Sequence, residues 1–345
     1  MANGKKGKKA LSFLKGIKNG QKKSSAEYEE HTGDNNKSRG VRIELRPPML
    51  VFATYLLLLI SKFIDLTLLN RDNEYMSVII LQMMIFLLPA ALWCTVGGEK
   101  YIKSLRLSLP RLDCIFLVVC ASAVMISGGL LIGMLFGGIE DLSNNFSLYD
   151  TFVSKGDGSL SSVLYLILAY AALPALCEEF VFRGILCREY ENKGVFRAIL
   201  LSSVFFACLH FNLNNFFVYV FCGAILALTL YASRSLWGAV IAHFLYNVFG
   251  VFGQPYMATL YRLTKDSRLL LMIVGIVFFL SAALFCGQAS RLYKKYLRAG
   301  VSSSYRSQAT SGTAYFREAF LDVIKDPFTI ASFVLYIIAI IVSWV

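Results

Sequence analysis

Charge is scarce in this chain. Asp, Glu, Lys and Arg together make up 16% of its 345 residues, against roughly 25% in a soluble domain. Histidine is scarcer still, with three in all: His31, His210 and His243. Several motifs are absent, and each absence excludes a class. None of the eight cysteines stands in a C-x-x-C pair. Most lie in or beside apolar runs, so a zinc knuckle or a disulfide framework is excluded and small buried hydrophobes remain. There is no G-x-S-x-G for a serine nucleophile and no H-E-x-x-H for a zincin. No basic face alternates with exposed aromatics, which excludes nucleic acid as a partner. No apolar region follows a short charged start, so the N-terminus is not a signal peptide.

What the chain has in quantity is apolar sequence, 57% of residues. The runs cover about 49–69, 75–96, 114–138, 160 to beyond 183, 197–211, 216–232, 236–253, 269–287 and 328–345. Each is near the roughly 20 residues that cross a bilayer core, which predicts an all-α polytopic transmembrane bundle of about eight to nine spans. No internal repeat is visible. The organisation that follows is a basic, solvated tail over 1–46, N-terminal spans over 47–159, a central core over 160–255, and C-terminal spans over 256–345 with a basic loop at 288–327. Within the tail, 8–18 has the pattern of a short basic amphipathic segment for anionic lipid. The net charge of +12 reads as topology. With the tail cytoplasmic, most remaining Lys and Arg fall in loops on that same side, while the acidic loop 140–159 falls on the other. Membrane lipids are therefore expected partners.

Ionisable residues inside spans are costly, so each one needs a reason. Lys62 and Asp65 lie three apart near one end of the first run and read as a local pair. The fourth run holds Glu178, Glu179 and Arg183. Adjacent glutamates point about 100° apart around a helix, so they cannot share one target. Glu179 and Arg183 stand at i and i+4, in the favourable order for an ion pair. Glu178 is left without a partner on its own helix. His210 closes the fifth run, with Phe206 one turn before it. His243 lies in the seventh, with Asn247 one turn after it. Pro174 reads as an interruption of the fourth helix.

Depth links these groups. Counted at 1.5 Å per residue from Arg188, Arg197 and Arg234, Glu178 lies ~15 Å deep, His210 ~20 Å, and His243 and Asn247 ~13 and ~20 Å. Residues on separate helices thus come to similar depth from the same side. A carboxylate beside a histidine activates water as a general base, and a His with an Asn donates to a developing oxyanion. Together they suit hydrolysis of an amide bond. Glu178, His210 and His243 equally form a zinc ligand set with water in the fourth place, in which case Asn247 serves substrate or an outer shell. Interhelical hydrogen-bond glue and an ion or proton path are the other uses of such residues.

The order EEFVFR (178–183), FACLH (206–210) and HFLYN (243–247) resembles the CAAX protease and bacteriocin-processing family of membrane proteases, and is similar to the type II CAAX prenyl endopeptidases. The resemblance covers about 160–255. It implies an intramembrane endopeptidase acting on a membrane-associated peptide or protein. In it Glu178 and His210 would activate water, His243 and Asn247 would form the oxyanion site, and Glu179 and Arg183 would support them. The family is described both as a metalloprotease and as a metal-free glutamate protease, so a divalent metal, zinc above all, is an open expectation. The compact core resembles bacterial members, which implies a plasma-membrane protein, and the depth count from the basic ends agrees with a site open to the cytoplasm. A transporter and a catalytically silent scaffold or immunity protein are the competing expectations.

Overall fold

The computed structural model describes residues 45–61, 79–136, 160–264, 266–300 and 313–344. The tail with its 8–18 segment, Lys62 and Asp65, and the acidic loop 140–159 lie outside these residues. Every extended element among the described residues is helical. In chain order these are α1 (Pro47–Ser61), α2 (Ile79–Lys103), α3 (Leu112–Phe136), α4 (Leu160–Lys193), α5 (Val195–Leu209), α6 (Phe216–Ser233), α7 (Leu236–Phe252), α8 (Gln254–Thr264), α9 (Ser267–Arg298), α10 (Thr313–Ile324) and α11 (Pro327–Trp344). Among them α2, α3, α4, α6 and α9 are long and apolar enough to cross a membrane, and α1, α5, α7 and α11 are shorter apolar helices.

Two differences from the sequence reading have physical causes. Residues 288–327 are not one loop: α9 continues to Arg298 and α10 forms at Thr313–Ile324. Leu292 and Tyr296, one turn apart, are buried, while Arg291, Lys294 and Lys295 face out. The charge density was that of a solvated helix face. Pro174, expected to interrupt, is carried through. It lacks an amide hydrogen and its ring crowds the carbonyl one turn back. A π-helical turn at Ile167–Ala172 directly before it loosens that carbonyl ladder. The same solution recurs in α2, where a π-helical turn at Met83–Leu87 precedes Pro89.

Two apolar cores meet along α4. One joins α1, α2, α4, α5 and α11 through Val51, Tyr55, Phe182, Phe205 and Phe206. The other joins α3, α6, α7 and α9 through Leu117, Val124, Leu226 and Ala239, with Cys187 of α4. Phe180 packs against both. Outward surfaces stay apolar, with Phe279 of α9 being 70% exposed. Such faces suit lipid rather than water. In lipid, helix association relies on close packing and polar contacts, since hydrocarbon solvates leucine as well as protein does. The α5–α6 seam shows this: a Cβ on Gly223 would stand 2.9 Å from the Ser203 Cα. Glycine is required there for the two backbones to approach.

One end of the bundle is basic and tied together. The segment between α2 and α3 is held by Leu236 donating its amide to the Arg106 carbonyl (2.9 Å) and Trp237 donating its indole to Leu107 (3.0 Å). Arg106 bonds Glu191 at the end of α4 (2.8 Å). Arg234, at the end of α6, has φ 57° in the left-handed region. That strain is offset by its amide bond to Leu230 and by its guanidinium lying 4.3 Å over the Tyr296 ring.

Candidate active site

The site forms where α4, α5, α6 and α7 meet. Glu179 and Arg183 are both fully buried and paired, Arg183 Nη1 to Glu179 Oε1 at 2.7 Å. Arg183 also donates Nη2 to the Gly223 carbonyl at 3.1 Å, and its guanidinium lies 4.4 Å over the Phe206 ring. Its charge is thus met by a carboxylate, a helix carbonyl and an aromatic face.

The same Glu179 oxygen meets His243. Nδ1 of His243 lies 2.9 Å from Glu179 Oε1. A carboxylate paired with arginine only accepts, so Nδ1 carries the proton and donates it. The other ring nitrogen, Nε2, is aimed at Glu178, with Oε2 at 4.0 Å. That separation is too wide for a direct hydrogen bond. Glu178 Oε2 has no hydrogen-bond partner among the described residues, and its side chain is 12% exposed where Glu179 is 0%. The adjacent glutamates therefore differ in what engages them: Glu179 Oε1 takes both Arg183 and His243, Glu178 is bonded by neither, and Oε2 of each is without a hydrogen-bond partner among the described residues.

His210 is placed by the end of α5. It is the residue that caps the helix, and its amide turns back to Ala207 (3.3 Å) rather than to Phe206. The orphaned Phe206 carbonyl takes the ring Nδ1 instead, at 2.9 Å. A carbonyl only accepts, so here too Nδ1 bears the proton and Nε2 the lone pair. The ring lies parallel to Tyr219 of α6, with centroids 3.8 Å apart at 17°. Phe206 meets His210 and His243 edge to face, at 4.8 and 5.7 Å. Asn247 Nδ2 makes a long 3.4 Å bond to the Ala171 carbonyl, within the π-helical turn of α4.

Glu178, Glu179, Arg183, Phe206 and His243 are therefore gathered by direct contact or near contact. His210 reaches the group through Phe206, and Asn247 through α4. The imidazole nearest Glu178 is His243, whereas the sequence reading paired Glu178 with His210. Tyr219, Gly223 and Ala171 had no signal in the sequence as participants, because a stacked ring and two backbone carbonyls carry no chemical label.

A catalytic zinc takes three protein ligands and a water. Among the described residues no three His, Cys, Asp or Glu side chains gather to hold a metal ion. His210 and His243 each commit Nδ1 to a protein oxygen and leave Nε2 open, as a metal-bound histidine does, so the ring orientations fit a ligand role while the spacing of the three groups does not. Glu178, His210 and His243 as arranged do not make a metal cage.

Comparison with known proteins finds similarity over this part of the chain. Residues 160–249 match the family model of the "Type II CAAX prenyl endopeptidase Rce1-like" proteins. "Putative membrane peptidase YdiL" of Bacillus subtilis (strain 168) is 27% identical over 118 residues, which is 34% of this chain and 48% of that protein. The chain thus spans about half the length of this curated relative. No solved structure matches significantly. Residues 160–249, which hold every side chain of the site, are thus similar to the Rce1-like type II CAAX prenyl endopeptidases.

Proposed function

We propose that the protein is an intramembrane endopeptidase that hydrolyses a peptide bond of a membrane-associated peptide or protein. The observation that carries this reading is the division between the two glutamates. Glu179 is fully buried and holds Arg183 and His243 on Oε1, while Glu178 is 12% exposed and turns an Oε2 without a hydrogen bond towards His243 Nε2, 4.0 Å away. One water can contact both of those atoms, donating to Glu178 Oε2 and accepting at its oxygen from His243 Nε2 when that ring carries both protons, because 4.0 Å exceeds a direct hydrogen bond and suits a bridged one.

Glu178 accepts a proton from the water as its oxygen attacks the peptide carbonyl carbon. His210, with its Nε2 lone pair, accepts from the second water hydrogen and sets the line of attack. The carbonyl oxygen becomes an oxyanion. Asn247 Nδ2 donates to it, and so does His243 Nε2 when that ring carries both protons. The C–N bond then breaks, and Glu178 returns its proton to the leaving amine. Glu179 and Arg183 touch no substrate in this scheme and hold the His243 ring. The burial of the site excludes bulk water and strengthens each of these interactions.

The sides of the membrane follow from charge. The end bearing Arg106, Arg188, Arg234 and Lys295 is the cytoplasmic one by the positive-inside rule, and the substrate enters from there. A direct test incubates the full chain with lipid-anchored peptides, prenylated CAAX tails among them, and follows cleavage by mass spectrometry beside Glu178→Gln. Cleavage by wild type alone is the expected result. Equal cleavage by both proteins would remove Glu178 from the chemistry, and substrate transport without cleavage would replace the peptidase by a transporter.

A further inference from the structure

The C-terminal third of α9 carries a feature the peptidase site does not use. Gly287, Ser290, Arg291, Lys294, Lys295 and Arg298 line an open groove of about 670 Å³. Across from it, Asp113 at the start of α3 pairs with Lys295, and Arg111 lies 3.7 Å from the same carboxylate. Arg291 donates to the Asp113 backbone carbonyl at 3.2 Å, which leaves its charge unmatched. Among the described residues Lys294 and Arg298 have no carboxylate partner. Among the described residues Asp113 is thus the one carboxylate bound to this cluster of Arg111, Arg291, Lys294, Lys295 and Arg298, and the groove keeps a positive excess. The space at Gly287 is open, since a Cβ there would meet nothing within 4 Å.

The groove's place on the helix says what it meets. Earlier turns of α9 expose Ile276, Phe279, Leu280 and Leu284, an apolar face suited to acyl chains. Lys294 stands ten residues beyond Leu284, ~15 Å along the axis, and each headgroup layer adds roughly 5–8 Å to the hydrocarbon core. The groove thus spans the headgroup layer and is continuous with the acyl-chain face. Tyr293, exposed beside it, is a residue type that settles at this boundary. The Lys-rich N-terminal tail has the wrong sign to fill it.

We infer that this groove holds the phosphate of an anionic phospholipid headgroup, with the acyl chains lying along the apolar face of α9. Arg291, Lys294 and Arg298 are the cations that bind it, and Lys295 remains with Asp113. The site does not depend on the peptidase reading.

The test uses the full chain purified in neutral detergent, titrated with phosphatidylglycerol or phosphatidylcholine, with bound lipid read by native mass spectrometry. Wild type retains phosphatidylglycerol preferentially. Lys294→Gln/Arg298→Gln, which leaves the Lys295–Asp113 pair intact, weakens that binding on the order of 30-fold, as expected for two interfacial cations. Should the double variant melt early, Lys294→Gln alone carries the comparison, and Lys294→Arg/Arg298→Lys restores binding. Equal retention of the two lipids, or unchanged binding in the Gln variants, overturns the inference. Displacement by millimolar inorganic phosphate would make this a soluble-anion site, and displacement by an acidic peptide a protein-docking one; either result overturns the lipid assignment.

Discussion

His243 and Glu179 meet through one oxygen, Nδ1 to Oε1 at 2.9 Å, and that oxygen also receives Arg183 at 2.7 Å. A helix-internal ion pair on α4 thereby orients a ring on α7. The contact sets which nitrogen of His243 faces Glu178, and so links a buried structural pair to the reacting end of the site.

Removing Glu179 should therefore damage both fold and activity. Glu179→Ala strands Arg183 in a dry interior and is expected to cost about 3–5 kcal/mol, read as a lowered melting temperature in detergent. Replacing the pair together, Glu179→Leu with Arg183→Met, should recover most of the stability and none of the turnover. A single variant that melts with wild type would show that the pair does not hold α4 and α7 in place.

Glu178 should behave differently. Its Oε2 has no hydrogen bond to lose, so Glu178→Gln should leave the melting temperature unchanged and lower turnover by about 10²–10⁴. A loss of stability equal to that of Glu179→Ala would place Glu178 among the structural residues.

Asn247 and His243 serve the oxyanion in this reading. Asn247→Ala should reduce kcat by about 10² with a smaller change in KM, because the donation strengthens in the transition state. A change confined to KM would make Asn247 a substrate-binding residue.

Tyr219 holds the His210 ring by stacking at 3.8 Å. Tyr219→Phe keeps the ring and should stay within about twofold of wild type. Tyr219→Leu loses a contact of about 0.5–1.5 kcal/mol, and up to about tenfold in kcat follows if His210 tilts. Identical behaviour of the two variants would separate Tyr219 from the alignment of His210.

Metal content discriminates the remaining mechanisms. Given a ligand set that does not close into a cage, active wild-type protein should contain substoichiometric zinc and keep turnover in a chelator. Stoichiometric zinc that disappears in His210→Ala would restore the metalloprotease expectation and require the three side chains to gather around the ion.

Much of this molecule was legible in the residues alone. Long apolar runs with charges confined between them determined the helical class, since only helices satisfy their own backbone within a chain that offers little polar surface. Periodicity determined that Glu179 and Arg183 share a face and that Glu178 does not, because those relations lie within one helix and depend only on 100° per residue. Counting residues from the basic ends brought Glu178, His210 and His243 to similar depth. What residue order did not contain is which faces meet across helices. Crossing angles and rotations of α4, α5, α6 and α7 decided that His243, not His210, stands nearest Glu178, that His210 stacks on Tyr219, and that Arg183 reaches the Gly223 carbonyl. These are interhelical contacts, set by side-chain packing and by the close approach a glycine allows, and sequence spacing holds no record of them.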